Sequence, residues 1–254
     1  YSRFSNDIGI DLGTANTLVY LRGSGTVINE PSIVALNQKT GQIVAIGKEA
    51  KKMWGKTPTH ISIVRPLVEG VVSDFEITEE MLAYFIRKVE KMSKKFFRPR
   101  VIIGVPSGIT NVEMRAVYDA AINAGAREVY LVEEAMAAAI GVRLPVLSPV
   151  ATLVVDIGGG TSDIALIALG GLVRSLNLRV AGDHFNARVI EYLRDEFKLL
   201  IGEQTAEQVK MTIGSAVESD YAELEVRGRD LITGLPRALV VTDGDIREAL
   251  SYPV

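Results

Sequence analysis

The sequence predicts an α/β protein with a duplicated core, and three observations predict it. Short apolar runs with strand character alternate with amphipathic helical stretches along most of the 254 residues. One strand–turn–strand motif occurs twice: Ile8-Gly9-Ile10-Asp11-Leu12-Gly13-Thr14-Ala15-Asn16-Thr17 and Leu153-Val154-Val155-Asp156-Ile157-Gly158-Gly159-Gly160-Thr161-Ser162-Asp163. The composition, 48% hydrophobic and 23% charged, gives a globular chain with ample core. That length holds one large domain or two ordinary ones.

After the first motif, strands are expected over Leu18–Leu21, Val27–Asn29, Ser32–Leu36 and Ile43–Gly47, separated by glycine-containing turns. A helix is expected from Thr78, with Glu79 and Glu80 in its first turn and Lys91, Lys94 and Lys95 in its last, an order that complements the helix dipole. Leu82, Phe85, Ile86, Val89 and Met92 form its apolar stripe. Val101–Val105 reads as a buried strand closed by Pro106. Thr110-x-x-Glu113 is a capping box opening a helix that Gly125 closes. Val129–Val132 is a strand leading into a helix over Glu134–Ile140, with Gly141 as its stop. Pro145 and Pro149 mark a joint between two halves.

The second half opens with strands over Ala151–Asp156, Ile164–Leu169 and Leu172–Val180. Asp183 is placed to cap a helix with the stripe Phe185, Val189, Leu193 and Phe197, and Thr205-x-x-Gln208 reads as a second capping box. Alternation around Ala222–Val226 and Ala238–Val241 suggests a closing hairpin.

The repeated motif carries the chemistry. Glycine lets a backbone approach an anion and turn its N–H groups inward. Thr14 and Thr161 add hydroxyl donors, and Asp11 and Asp156 suit a hydrated divalent cation. Two such turns face to face would grip a polyphosphate from both sides. Either turn alone is equally an ordinary hairpin, in which Gly, Asn and Asp are common. Neither fits the P-loop or the Gly-x-Gly-x-x-Gly pattern.

Composition excludes other classes. A net charge of −3 gives no general attraction to nucleic acid. The absence of cysteine removes disulfides, thiolate catalysis and cysteine–zinc sites. His60 and His184 are too isolated for a histidine metal site. No signal peptide or membrane-spanning apolar run is read. The chain opens at Tyr1 without a methionine, so loss of some N-terminal residues is expected.

Asp11-Leu12-Gly13-Thr14, Asp156-Ile157-Gly158-Gly159-Gly160-Thr161 and the linking helix resemble the superfamily of actin, hexokinase and DnaK-type chaperones. Asn29-Glu30-Pro31-Ser32, Val105-Pro106-Ser107-Gly108, Ala137-Ala138-Ala139-Ile140-Gly141, Thr205-Ala206-Glu207 and Glu225-Val226-Arg227-Gly228-Arg229-Asp230-Leu231 narrow the resemblance to the MreB family of bacterial actin homologues. It covers almost the whole chain. The fold it implies is a pair of actin-like, ribonuclease H-like domains either side of a nucleotide cleft. The first lobe is expected over 1–145, with a small subdomain inserted at about 31–69, and the second over 146–254, with a small subdomain from about 181.

The function it implies is an ATPase that polymerises into paired, membrane-bound filaments guiding cell-wall synthesis in rod-shaped bacteria. Its place is the cytoplasmic face of the inner membrane, and its partners are its own copies, anionic lipid and the wall-elongation machinery. By resemblance Gly13, Thr14, Ala15 and Asn16 form one phosphate loop and Gly158, Gly159, Gly160 and Thr161 the other. Asp11 and Asp156 order Mg²⁺ through its waters, and Glu207 and Lys210 reach ribose and adenine. The plainer reading of that last pair is a surface ion pair worth about 0.2–0.5 kcal/mol. Glu134 takes the position of the family's water-orienting carboxylate, although it would also favour a helix start for dipole reasons alone.

Ala135 stands where the family usually has proline, and a third glycine-rich stretch expected further on is absent, so the chain reads as truncated at its C-terminal end. Lys94, Lys95, Phe96, Phe97 and Arg98 pair two large aromatics with cations in an expected connector, the chemistry of an interfacial anchor; the alternative is that both rings are core. Three other functions remain open at this point. A sugar or small-molecule kinase of the same fold would need a dedicated substrate base. A chaperone-type ATPase would need a peptide-binding domain. A non-catalytic filament scaffold would follow from the truncation.

Overall fold

The computed structural model describes residues 5–93, 97–218 and 221–251. The chain divides into two compact units, Tyr1–Arg179 and Val180–Val254.

The first unit begins with an antiparallel meander of β1 (Ser5–Leu12), β2 (Asn16–Leu21) and β3 (Gly25–Pro31). A small sheet follows from β4 (Val34–Asn37), β5 (Ile43–Ile46) and, after the short helix α1 (Lys48–Met53), β6 (Ile61–Val64). It closes on its own cluster of Ile33, Ala35 and Ala50 beside Met53 and Trp54. A tight ribbon of β7 (Leu67–Val68) and β8 (Val71–Val72) returns the chain to the main body through a turn at Glu69 and Gly70, both at positive φ.

Then come α2 (Phe75–Ser93), β9 (Phe97–Val105), α3 (Asn111–Asn123), β10 (Glu128–Glu133) and α4 (Glu134–Gly141). They complete a five-stranded sheet in the order β10-β9-β1-β2-β3, in which β9 runs parallel to both β1 and β10. Alternation sets its faces: Val101, Ile103 and Val105 are buried in one cluster with Met81, Leu82, Phe85 and Val89 of α2 and Val117 of α3, while Ile102 points the other way and is 49% exposed. A second meander, β11 (Thr152–Ile157), β12 (Ser162–Ala168) and β13 (Gly171–Leu178), packs Ala165 and Ile167 against Ala135 and Ala139 of α4.

The two meanders share a register. Asp11 in β1 stands opposite Leu18 in β2, which stands opposite Asn29 in β3. Asp156 in β11 stands opposite Asp163 in β12, which stands opposite Asn177 in β13. The duplication read from the motifs is therefore a duplication of pairing, residue for residue.

The second unit holds α5 (Gly182–Phe197), β14 (Leu199–Leu200), α6 (Glu203–Ile213), β15 (Glu223–Asp230), β16 (Pro236–Thr242) and α7 (Asp243–Leu250). Its antiparallel sheet, ordered β14-β15-β16, shares a core with the helices through Val189, Leu193, Val209, Val226, Val241 and Ile246.

The element boundaries correct several expectations. The helix expected from Thr78 starts at Phe75, because the Asp74 carboxylate accepts from Ile77 N–H at 3.0 Å and caps it one turn earlier. Met92 lies off the buried stripe, 54% exposed. Asp183 is within the first turn of α5, whose N-cap is Ala181, and Thr205 lies inside α6, whose N-cap is Gly202. The Thr110–Glu113 capping box is present with both reciprocal bonds. An unforeseen box, Thr242 with Asp245, opens α7.

Candidate functional site

The two glycine turns meet. The first leaves β1 at Leu12 and enters β2 at Asn16; Ser32 fastens it, donating to Gly13 O at 2.6 Å from its hydroxyl and to Ala15 O at 3.0 Å from its N–H. The second joins β11 to β12 and is closed by Gly158 N–H to Thr161 O at 2.8 Å. A Cβ added at Gly159 would lie 2.6 Å from the Ala15 methyl, and one added at Gly160 would lie 2.6 Å from Thr14 Oγ1. Only glycine allows backbones this close. A third piece wedges against them: a Cβ at Gly160 would also meet Glu69 Cα at 2.9 Å, and Gly70 N–H donates to Thr14 Oγ1 at 3.0 Å. Glu69 in turn pairs with Arg179 at 3.1 Å.

These turns border a cavity of about 570 Å³ lined by Asp11, Gly13, Thr14, Ala15, Asn16, Glu134, Asp156, Gly158, Gly159, Gly160, Thr161 and Asp163. The cavity is large enough for a nucleotide-sized ligand. Its backbone-rich, hydroxyl-bearing end suits phosphate.

Asp11, Glu134, Asp156 and Asp163 all line the cavity, and the first three are shifted by burial and by neighbouring charge. Burial, then the neighbouring charges of Asp11, Asp163 and Asp156, push the Glu134 carboxyl up to about 8. Glu134 opens α4, and Gly104 in β9 leaves room for its methylenes, since a Cβ there would lie 3.2 Å from Glu134 Cγ. Burial raises Asp11 first and Asp156 adds to it; burial raises Asp156 first and Asp163 adds to it. Asp11 nevertheless remains exposed to solvent. Among the described residues no three acidic or imidazole groups converge closely enough to ligate one ion directly. The donor set, anionic and spaced apart, fits a cation that keeps its water shell and is reached through it.

Sequence reading missed three parts of this wall. Asp163 is 2% exposed and accepts from Ser107 N–H and Asn177 Nδ2, each at 2.9 Å. Its signal was present: a hairpin with a four-residue loop over 158–161 sets position 163 opposite 156. The Glu69–Gly70 turn and the Ser32 fastener carried no comparable signal, since their partners are remote in sequence.

In the second unit, Lys210 Nζ bonds Glu207 Oε2 at 2.7 Å and Gly182 O at 3.1 Å, and the buried Asn186 amide donates to the same Glu207 oxygen at 2.7 Å. The pair is thus tied into the α5–α6 packing on the lysine side, while the Glu207 side chain remains exposed as in a surface ion pair. Asn186 was not foreseen as part of it. Of the expected aromatic anchor, Lys94, Lys95 and Phe96 lie outside the described residues. Phe97 is the first residue of β9, with its side chain outside the description, and Arg98 is exposed.

Comparison with known proteins meets this geometry. A family model described as MreB/Mbl protein matches residues 5–254. The cell shape-determining protein MreB of Pasteurella multocida is 50% identical over 260 residues, covering 99% of this chain and 74% of that protein. MreB5 of Spiroplasma citri, solved bound to ADP, superposes with a TM-score of 0.92 at 39% identity over 98% of this chain and 75% of that one. The same protein is solved bound to AMPPNP, with a TM-score of 0.90. The MamK double helical filament superposes at 0.81 with 22% identity over 97% of this chain and 75% of that one, a likeness of fold. The fold is actin-like, and the chain belongs to the MreB/Mbl family.

Proposed function

We propose that this MreB/Mbl family chain is a nucleotide-dependent cytoskeletal filament protein that binds and hydrolyses ATP. The observation that carries the reading is the contact of the two glycine turns, Ala15 and Thr14 against Gly159 and Gly160, above a cluster of carboxyl groups. The ADP and AMPPNP complexes of Spiroplasma MreB5 support a nucleotide as the ligand, and the MamK filament supports assembly of this fold into polymers.

In this reading the N–H groups of Gly13–Asn16 and Gly158–Thr161 hold the phosphates, with the Thr14 hydroxyl free to donate because it already accepts from Gly70. Asp11 and Asp156 hold Mg²⁺ through water. When bound, the ion supplies charge neutralisation for the phosphates and relieves the repulsion between these carboxylates. Glu134, at the start of α4, orients a water in line with the terminal phosphorus. Glu207 and Lys210 contact the nucleoside.

Polymerisation into paired filaments, binding to anionic lipid on the cytoplasmic face through the Lys94–Arg98 segment, and organisation of cell-wall synthesis in rod-shaped cells complete the reading. The segment supplies two aromatic rings worth about 1.5–3 kcal/mol each when buried, which a polymer multiplies by avidity. Pelleting with ATP, Mg²⁺ and anionic liposomes, followed by negative-stain imaging and phosphate-release measurement, tests it. Paired filaments on lipid with steady phosphate release are expected. A monomer that neither pellets nor releases phosphate overturns the reading, and release that depends on an added sugar turns it toward a kinase.

A further inference from the structure

Asparagine buried in a helix is unfavourable on two counts. Its side chain competes with the backbone for hydrogen bonds, and a buried amide destabilises the fold unless both its ends are bonded. Asn186 lies within α5, 4% exposed, and only one end of its amide is satisfied. Nδ2 donates to Glu207 Oε2 at 2.7 Å, while Oδ1 is buried with no hydrogen-bond partner among the described residues. The opposite amide orientation would set Oδ1 against the carboxylate, which fixes the assignment. A side chain that merely held α5 against α6 would serve better with both ends paired, or as an apolar group of similar shape. The Asn186 amide is committed instead to one atom of one exposed carboxylate.

That carboxylate is well held for its place. Glu207 stands on α6 with its side chain 48% exposed, where a glutamate ordinarily samples several rotamers. Its Oε2 accepts from Asn186 in α5 and from Lys210 Nζ, one turn along α6, at 2.7 Å each. Lys210 is itself fixed, since its side chain is mostly buried and Nζ also donates to Gly182 O at 3.1 Å. Groups from two helices thus set one carboxylate. The amide adds a hold without adding charge, so the Glu207–Lys210 pair stays balanced. A balanced pair exerts no net pull on phosphate. A fixed carboxylate within it suits a neutral ligand part with adjacent O–H donors, and ribose carries such a diol.

We propose that Asn186 is a positioning residue of the nucleotide site, fixing Glu207 to accept from the ribose hydroxyls and so giving the chain a preference for ribonucleotides over deoxyribonucleotides. This rests on the nucleoside contact of Glu207 and Lys210 proposed above. Asn186 does not touch the ligand, because its amide oxygen is buried and its nitrogen faces Glu207. Its effect is pre-organisation: the carboxylate is ordered before the sugar arrives, and without the amide that ordering falls on the binding step.

The test compares Mg²⁺–ADP with Mg²⁺–2′,3′-dideoxyADP by calorimetry, the diphosphates avoiding turnover during titration. The wild-type chain is expected to prefer ADP by at least about tenfold, the scale of a hydrogen bond to a charged group. Asn186→Leu keeps a branched shape and removes the amide together with its unpaired oxygen. It should leave hydrogen-exchange protection of α5 and α6 at the wild-type level. ADP should bind about fivefold more weakly and the dideoxy analogue unchanged, so most of the preference is lost. Glu207→Ala should abolish the preference, and adding Asn186→Leu to it should change nothing further, since the amide then has no carboxylate to hold. Asn186→Ala serves if the leucine variant does not fold. An undiminished preference in the folded Asn186 variant, or an equal loss for both ligands, overturns this inference alone. A wild-type chain without the preference overturns the ribose contact of Glu207 and this inference with it, and one that binds neither ligand overturns the nucleotide reading as well.

Discussion

Replacing Glu134 by glutamine should stabilise the nucleotide-free chain, and do so only above mildly acidic pH. The folded cleft raises this carboxyl from its ordinary value of 4.5 to about 8. Between those values the folded state holds a proton that the unfolded chain has released, so unfolding free energy falls as pH rises. Below 4.5 both states are protonated and the penalty vanishes; above about 8 it is complete. At about 1.4 kcal/mol per tenfold change in proton affinity, the full climb sets a ceiling of about 5 kcal/mol. The cleft mouth admits solvent and screening, which brings the expected gain to about 2–4 kcal/mol at pH 9. Glutamine mimics the protonated acid and removes the titration. Trp54, the single tryptophan, lies in the same unit as Glu134, so its fluorescence reports the relevant unfolding transition in urea. The wild-type midpoint should decline from pH 5 to pH 9 relative to Glu134→Gln, and the two curves should converge at pH 4. Parallel curves across that range would refute the claim that burial and neighbouring carboxylates strain this group.

Three further outcomes are expected. Gly160→Ala sets a methyl 2.6 Å from Thr14 Oγ1 and 2.9–3.0 Å from the Glu69 backbone, so it should part the turns, cost about 1–3 kcal/mol and weaken Mg²⁺–ATP binding more than tenfold by calorimetry. Thr242→Ala removes the hydroxyl that accepts from Asp245 N–H and bonds the Asp245 carboxylate, leaving only the backbone half of the α7 capping box, and should lower the stability of the second unit by about 1 kcal/mol, read from hydrogen exchange in α7, with nucleotide affinity unchanged. The double variant Phe96→Ala, Phe97→Ala should abolish sedimentation with anionic liposomes while leaving polymerisation in solution intact; sedimentation at the wild-type level would remove the membrane loop from the reading.

Sequence made the strands and the paired turns legible because their signals are local. The apolar run over Val101–Val105, the Thr110–Glu113 box and the glycine–hydroxyl turns each depend on neighbours within a few positions. Errors arose where two local signals competed. Asp74 and Thr78 both suit the start of α2, and the fold chose between them: the Asp74 carboxylate accepts from Ile77 N–H, while Thr78 turns its hydroxyl to Asp74 O at 2.6 Å inside the first turn. The wall of the cleft was legible only in part, because the Glu69–Gly70 turn meets Thr14 across 56 positions and Ser107 meets Asp163 across another 56. No short-range pattern encodes such contacts.

The register of the two meanders carries the deeper lesson about the site. A motif used twice needs one geometry, and both copies have it: an aspartate one residue before the strand ends, a turn, and a partner seven positions on. The copies then diverge where chemistry differs. In the first, the partner is Leu18 and the turn is tied to the end of β3 by Ser32; in the second, the partner is Asp163 and the turn closes on itself through Gly158 and Thr161. Divergence at a position that pairing leaves free is the expected mark of a cleft whose two sides do unequal work. One side is made rigid by neutral fasteners, and the other concentrates negative charge beside Glu134. Burial and those neighbouring charges push the Glu134 carboxyl up to about 8 in the nucleotide-free cleft. A cation bound there would offset the same charges and draw that value back down, which would couple occupancy of the cleft to the protonation of Glu134.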